Sequence, residues 1–142
     1  MRGKCLCGAV NFELKGAIPN LYQCHCSLCR RATGSSANAA LRIEAGQFAW
    51  IDGADQITEF ETDGGYKSHF CRRCGSPVPN PTAGGSLYWV PAGLLEDGGG
   101  IRLAAHLYVD SRAGWDEIAA AGEHYAEMPD AEALDGLLRR AG

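Results

Sequence analysis

The chain lacks most of what would carry it across a membrane, onto nucleic acid or into a helical bundle. No stretch approaches the roughly 18 consecutive apolar residues that a spanning helix needs, so no membrane partner is expected. The opening Met1-Arg2-Gly3-Lys4-Cys5 has no apolar run behind its basic residues, so no secretory leader is expected and a cytoplasmic setting is. Basic residues are in the minority, with 13 Lys and Arg against 17 acids for a net charge of −4. That balance lacks the field of a nonspecific nucleic-acid binder, and no nucleic-acid partner is expected. A Walker loop, a dinucleotide fingerprint, a Gly-x-Ser-x-Gly elbow and internal repeats are all missing.

What is present is a chain of 142 residues, 46% hydrophobic, with 19 Gly and seven Cys. A domain of this size hides about 68–70% of its unfolded surface and needs no disulfide staples. No linker divides it, so one domain over residues 1–142 is expected. Val10, Phe12 and Leu14 alternate with polar residues, as on a half-buried strand. Further strands are expected at Asn20–His25, Asn38–Ile43, Gln56–Glu61, Lys67–Cys71, Ser86–Pro91 and Arg102–Val109, separated by glycines. Helix is scarce: one turn at Ser27–Ala32 with Ser27 as cap, and Ala131–Arg140 after Pro129. In the second, Leu134, Leu137 and Leu138 share a face, arginines end the segment and Gly142 follows. The expected architecture is mainly β with short helical additions.

The cysteines fall into three clusters: Cys5-Leu6-Cys7, Cys24-His25-Cys26-Ser27-Leu28-Cys29 and Cys71-Arg72-Arg73-Cys74-Gly75. In a reducing compartment such spacing points to metal rather than disulfides, and soft thiolate sets select zinc or iron–sulfur clusters. Cys-x-x-Cys followed by glycine suits a loop that turns its amides toward metal-bound sulfurs. Cys-x-Cys on a strand would put both sulfurs on one face. Seven is four plus three. One partition joins Cys5, Cys7, Cys71 and Cys74 as a closed structural site and leaves Cys24, Cys26 and Cys29 as a site with an open fourth position. The other pairs Cys26 and Cys29 with Cys71 and Cys74 as a zinc ribbon, leaving the remaining thiols free.

These residues carry a resemblance. Cys5-x-Cys7-Gly8-x-Val10, Cys24-His25-Cys26-x-x-Cys29-Arg30 and Phe70-Cys71-x-x-Cys74-Gly75-Ser76 resemble the glutathione-dependent formaldehyde-activating enzyme family, also called the centromere protein V family. Ala105-His106-Leu107-Tyr108-Val109 and Ala113-Gly114-Trp115-Asp116 resemble its C-terminal region. The resemblance implies a β-tent (Mss4-like) zinc-binding domain, shared with a chaperone of small GTPases. It also implies the first partition, with structural zinc at Cys5, Cys7, Cys71 and Cys74 and catalytic zinc at Cys24, Cys26 and Cys29, two zinc ions per chain. The implied reaction is that of a carbon–sulfur lyase, in which glutathione, as co-substrate, adds to formaldehyde. Three thiolates on Zn²⁺ leave a charge near −1, a poor Lewis acid for water but a suitable holder of a fourth sulfur. The alternative is a non-enzymatic zinc module that binds a protein partner.

Other residues are weaker candidates. Arg30, Arg31, Arg72 and Arg73 lie beside the clusters, where they would hold substrate carboxylates or simply face solvent. His25, between two ligands, is expected behind the metal site or exposed. His69 shares strand parity with Cys71 but is expected to pack, His106 belongs in the core, and His124 has no supporting neighbours. Trp50, Trp89 and Trp115 are expected in the core or a cavity wall.

Overall fold

The computed structural model describes residues 1–96 and 99–140. Its strands are β1 (Arg2–Lys4), β2 (Asn11–Leu14), β3 (Leu21–Cys24), β4 (Asn38–Glu44), β5 (Phe48–Asp52), β6 (Ile57–Glu61), β7 (Lys67–Cys71), β8 (Asn80–Pro81), β9 (Leu87–Pro91), β10 (Leu103–Leu107) and β11 (Glu123–His124). Among the described residues two α-helices accompany them, α1 (Ser27–Thr33) and α2 (Ala131–Leu138). Among the described residues the strands form three sheets: β1-β2-β5, β11-β10-β3-β4-β9-β8 and the β6-β7 hairpin. The chain is mainly β with short helical additions, as its glycine-punctuated pattern suggests.

The six-stranded sheet divides the interior because strand side chains alternate between faces. On one face Leu41 and Ile43 of β4 meet Phe12 and Leu14 of β2 and Val90 of β9, all buried. Phe48 of β5 extends this layer by stacking on Phe12 and Tyr88, and Trp50 meets all three rings edge-on. On the opposite face Tyr22 pairs with Ala40 across β3 and β4, and Cys24, Cys29 and Leu107 pack with Leu134 and Leu138 of α2. Arg42, on the Ala40 side of β4, reaches Asp135 of α2 at 2.7 Å and fixes the helix over the sheet. A third cluster, Cys5, Val10, Cys71 and Val78, lies where the loop after β1 meets the end of β7.

Several boundaries differ from expectation. The residue capping α1 is Cys26, whose extended backbone turns its sulfur to the Cys29 amide at 3.3 Å, so Ser27 is the first helical residue. Helix α2 stops at Leu138 rather than Arg140, and Asp130 caps it through the Ala133 amide at 3.1 Å. Pro129 therefore precedes the cap, and Gly142 lies outside the described residues. Strand β10 ends at Leu107 because Tyr108 turns to φ 56, a left-handed conformation that no strand continues. Four strands were not apparent in the pattern. The Phe48-Ala49-Trp50-Ile51 run of β5 shows no polar alternation, and β1, β8 and β11 are only two or three residues long.

Candidate metal centres and substrate cavity

Cys5 and Cys7 occupy a turn rather than a strand, contrary to the expected face-sharing geometry. The turn achieves the same end: the two sulfurs are 3.6 Å apart. Cys71 closes β7 and Cys74 follows in the next turn. The glycines after each cluster make these turns possible, with Gly8 at φ 80 and Gly75 at φ 77, and both donate amides back to the first cysteine's carbonyl. The Ser76 hydroxyl takes the Leu6 amide at 2.9 Å, locking one turn onto the other. The Val10 amide points at the Cys5 sulfur at 3.3 Å. Hydrogen bonds from the Ser76 side chain and backbone bring the Cys74 thiol down to about 5.

All four sulfurs, Cys5, Cys7, Cys71 and Cys74, lie within 4.8 Å of one another, with Cys7 and Cys71 at 3.8 Å. A tetrahedral zinc site with bonds of about 2.3 Å has sulfur–sulfur edges of about 3.8 Å. The donor set fits that ion. The sulfurs of Cys24, Cys26 and Cys29 form a second group, also within 4.8 Å of one another. The geometry thus groups the cysteines four and three, and it does not bring Cys26 and Cys29 into one set with Cys71 and Cys74.

The trio is built from a strand end and a helix start. Cys24 is the last residue of β3, Cys26 caps α1 and Cys29 sits in its first turn. Tyr66 donates its hydroxyl to the Cys29 sulfur at 3.3 Å. Hydrogen bonding from Cys24 pulls the Cys29 thiol down to about 6, and the same bond pushes Cys24 up. One side of the trio is open. Cys24 and Cys26 face a cavity of about 480 Å³ whose wall includes Tyr22, Tyr66, Trp89, Leu107 and Tyr108. That volume lies in the range of small-molecule sites.

Behind the trio runs a histidine array. His25 is buried and its Nε2 lies 3.0 Å from Nδ1 of His106, whose own Nε2 lies 3.2 Å from the Ala121 carbonyl. A carbonyl only accepts, so His106 carries its hydrogen on Nε2 and takes a second from His25 on Nδ1. The other ring nitrogen of His25, Nδ1, lies 3.3 Å from an Asp116 carboxylate oxygen, and no hydrogen bond joins the two. Burial holds both histidines below their ordinary pKa. His25 is therefore behind the sulfurs and not exposed. His124, expected to stand alone, packs edge-on against His106 with ring centroids 4.8 Å apart.

The remaining candidates separate cleanly. His69 is buried on β7 and belongs to neither sulfur group. Arg30, Arg31, Arg72 and Arg73 do not line the cavity, and Arg72 is engaged with Gln56 at 3.2 Å. Trp50 is in the aromatic layer and Trp89 in the cavity wall, but Trp115 is 73% exposed, against expectation. Tyr66 escaped the sequence reading because nothing in its neighbours marks it, and Tyr108 stood there only as a member of the 105–109 motif, with no place in a cavity wall. That motif was the one available sign.

Fold and site define a small β-rich thiolate domain with one four-cysteine set and one three-cysteine set opening on a cavity. The sequence pattern of the glutathione-dependent formaldehyde-activating enzymes matches residues 1–111, and the chain belongs to that family. A Halomonas elongata protein provisionally named a glutathione-dependent formaldehyde-activating enzyme is 27% identical over 140 residues, covering 92% of this chain and 89% of its own length. A crystal structure of a Rhodobacter sphaeroides protein, determined as a structural genomics target, is similar with a TM-score of 0.57 and 28% identity. It covers 73% of this chain and 100% of that one. The β-tent architecture fits this family. Among the described residues no helix is long and apolar enough to cross a membrane.

Proposed function

We propose that residues 1–142 form one cytoplasmic zinc-binding domain acting as a carbon–sulfur lyase on a thiol–aldehyde adduct. Cys5, Cys7, Cys71 and Cys74 hold a structural zinc, and Cys24, Cys26 and Cys29 hold a second zinc with a free position, two per chain. Zinc bound by the trio would keep an incoming fourth sulfur as thiolate at neutral pH. The observation supporting this reading is the three-sulfur group open to a cavity beside an already complete group of four.

The chain's own residues supply the positioning. Tyr66 steadies Cys29 through its hydroxyl, and the buried His25–His106 contact fixes the β3–α1 turn that carries all three cysteines. The cavity beside the sulfurs would bring the two reactants together, which is worth several orders of magnitude in rate when geometry is right. In the forward direction the thiol sulfur bonds to the carbonyl carbon, and the carbonyl oxygen takes up the proton the thiol loses. No electrons leave or enter. The family name supplies glutathione as thiol and formaldehyde as aldehyde.

The test is exchange between ¹³C-formaldehyde and its thiol adduct, followed by NMR on the zinc-loaded protein. Exchange above the enzyme-free rate, lost in Cys26→Ser, is expected. A rate equal to the blank with every thiol tried contradicts the proposal.

A further inference from the structure

Helix α1 and the β6–β7 hairpin enclose a second groove of about 340 Å³ that adjoins the sulfur cavity. The two spaces share Leu28 and Tyr66 as lining, so the tyrosine that holds Cys29 stands at their junction. Strand alternation builds the hairpin wall: Phe60 pairs with Ser68 across β6 and β7, and Thr62 and Tyr66 continue the same face. Helical spacing builds the other wall, where Arg31 and Ala32 follow Leu28 by three and four residues on α1. The acids of β6, Glu59 and Glu61, alternate with these positions, and neither lines the groove.

Three hydrogen-bond donors gather in this groove. Arg31 carries a permanent charge, and its guanidinium makes no hydrogen bond or ion pair among the described residues. The Tyr66 amide donates to Thr62 Oγ1 at 3.0 Å, which leaves the Thr62 hydroxyl hydrogen to be given elsewhere. Ser68 brings a second half-buried hydroxyl. A guanidinium and two hydroxyls in one groove are the donor set that a carboxylate accepts.

The reach from the sulfurs agrees. With a rise of 1.5 Å per residue, Arg31 lies about 7.5 Å along α1 from the capping Cys26. In a cysteinyl-glycine unit the terminal carboxyl carbon is six bonds from the sulfur, about 7 Å when extended. A sulfur held at the trio therefore brings that carboxylate level with Arg31.

We propose that Arg31, with Thr62 and Ser68, binds the glycyl carboxylate of glutathione while the thiol sulfur lies at the cysteine trio. This deepens the reading of the trio as a thiol-adduct site and rests on it. Arg31 is then a specificity residue, selecting thiols that carry a carboxylate one residue past the cysteine.

Calorimetry of the zinc-loaded protein with glutathione and with its glycyl monoethyl ester tests the assignment. The ester keeps the thiol and the γ-glutamyl end but carries no glycyl charge. Arg31→Gln, at an exposed helix position, is expected to weaken glutathione about tenfold and the ester about twofold or less. Arg73→Gln removes the same charge beside the four-cysteine set and is expected to weaken neither ligand. Unaltered glutathione affinity in Arg31→Gln overturns the proposal, and so does equal weakening of the two ligands or equal weakening by the two variants. Exchange measurements with ¹³C-formaldehyde separate the two readings. Glutathione binding that depends on Arg31 without catalysed exchange upholds the subsite and removes the lyase reading. Catalysed exchange with a glutathione affinity indifferent to Arg31 upholds the lyase reading and removes the subsite.

Discussion

Replacing Tyr66 by phenylalanine removes one hydroxyl and leaves the ring where it is. The backbone around it is held independently, since the Tyr66 amide donates to Thr62 Oγ1 at 3.0 Å and the Thr62 amide to the Tyr66 carbonyl at 2.9 Å. What is lost is the hydrogen bond to the Cys29 sulfur at 3.3 Å, at a residue only 2% exposed, where water cannot take over. A hydrogen bond to a charged acceptor is worth about 1.5–3 kcal/mol, and groups that orient metal ligands typically change metal affinity by about 10–100-fold. Without that donor the Cys29 thiolate is harder to keep. Competition of the zinc-loaded protein against a graded set of chelators should show the trio's zinc released at least tenfold more readily in Tyr66→Phe. The four-cysteine zinc should be unchanged. Equal release of both ions, or an unaltered trio, would refute the reasoning that Tyr66 acts through Cys29.

Helix α2 offers two neighbouring substitutions of unequal weight. Leu134 is fully buried against β3 and β10, and Leu134→Ala is expected to cost about 2–5 kcal/mol in denaturant unfolding. Asp135→Ala breaks the bond to Arg42 between side chains 40% and 11% exposed and is expected to cost about 1–2 kcal/mol, less than Leu134→Ala; a reversed order contradicts the packing account. His106 sets a pH dependence. Burial holds it neutral in the fold, and a proton on Nδ1 would face the His25 hydrogen, whereas the unfolded chain ionises it at its ordinary 6.5. The unfolded state therefore binds more protons, and stability falls as pH drops below about 6.5. His106→Gln should flatten that slope in thermal melts of the zinc-loaded protein, and an unchanged slope contradicts the assignment.

How far the sequence foretold the molecule depends on the range of the interaction. The cysteine clusters were legible because each pair is closed by a local turn: Cys5 with Cys7 beside Gly8, Cys71 with Cys74 beside Gly75. Strand β7 came out with its residues as expected, Lys67–Cys71 lying between the Gly64-Gly65 break and the Cys71-x-x-Cys74 turn. Strand β5 did not, because Phe48, Ala49, Trp50 and Ile51 are all apolar even though Ile51 is exposed, so no polar period survives. The cap of α1 was misread for a chemical reason: a cysteine sulfur does there what serine ordinarily does. The cavity wall was illegible because it is assembled from distant segments. Tyr66 meets Cys29 across 37 residues, and His25 meets His106 across 81. Propensity and spacing carry no trace of such contacts. Trp115 shows the opposite error, since an aromatic side chain promises burial that the fold does not grant it.

The central claim is that the seven cysteines make one closed and one open metal site, and metal counting tests it most directly. Elemental analysis of the fully loaded protein should find about two zinc per chain, as four and three thiolate ligands imply. Cys26→Ser should retain one zinc and the folded β-structure, because the four-cysteine set that joins the β1 loop to β7 is untouched. A single tightly held zinc in the unaltered protein, or loss of both ions in Cys26→Ser, contradicts the account.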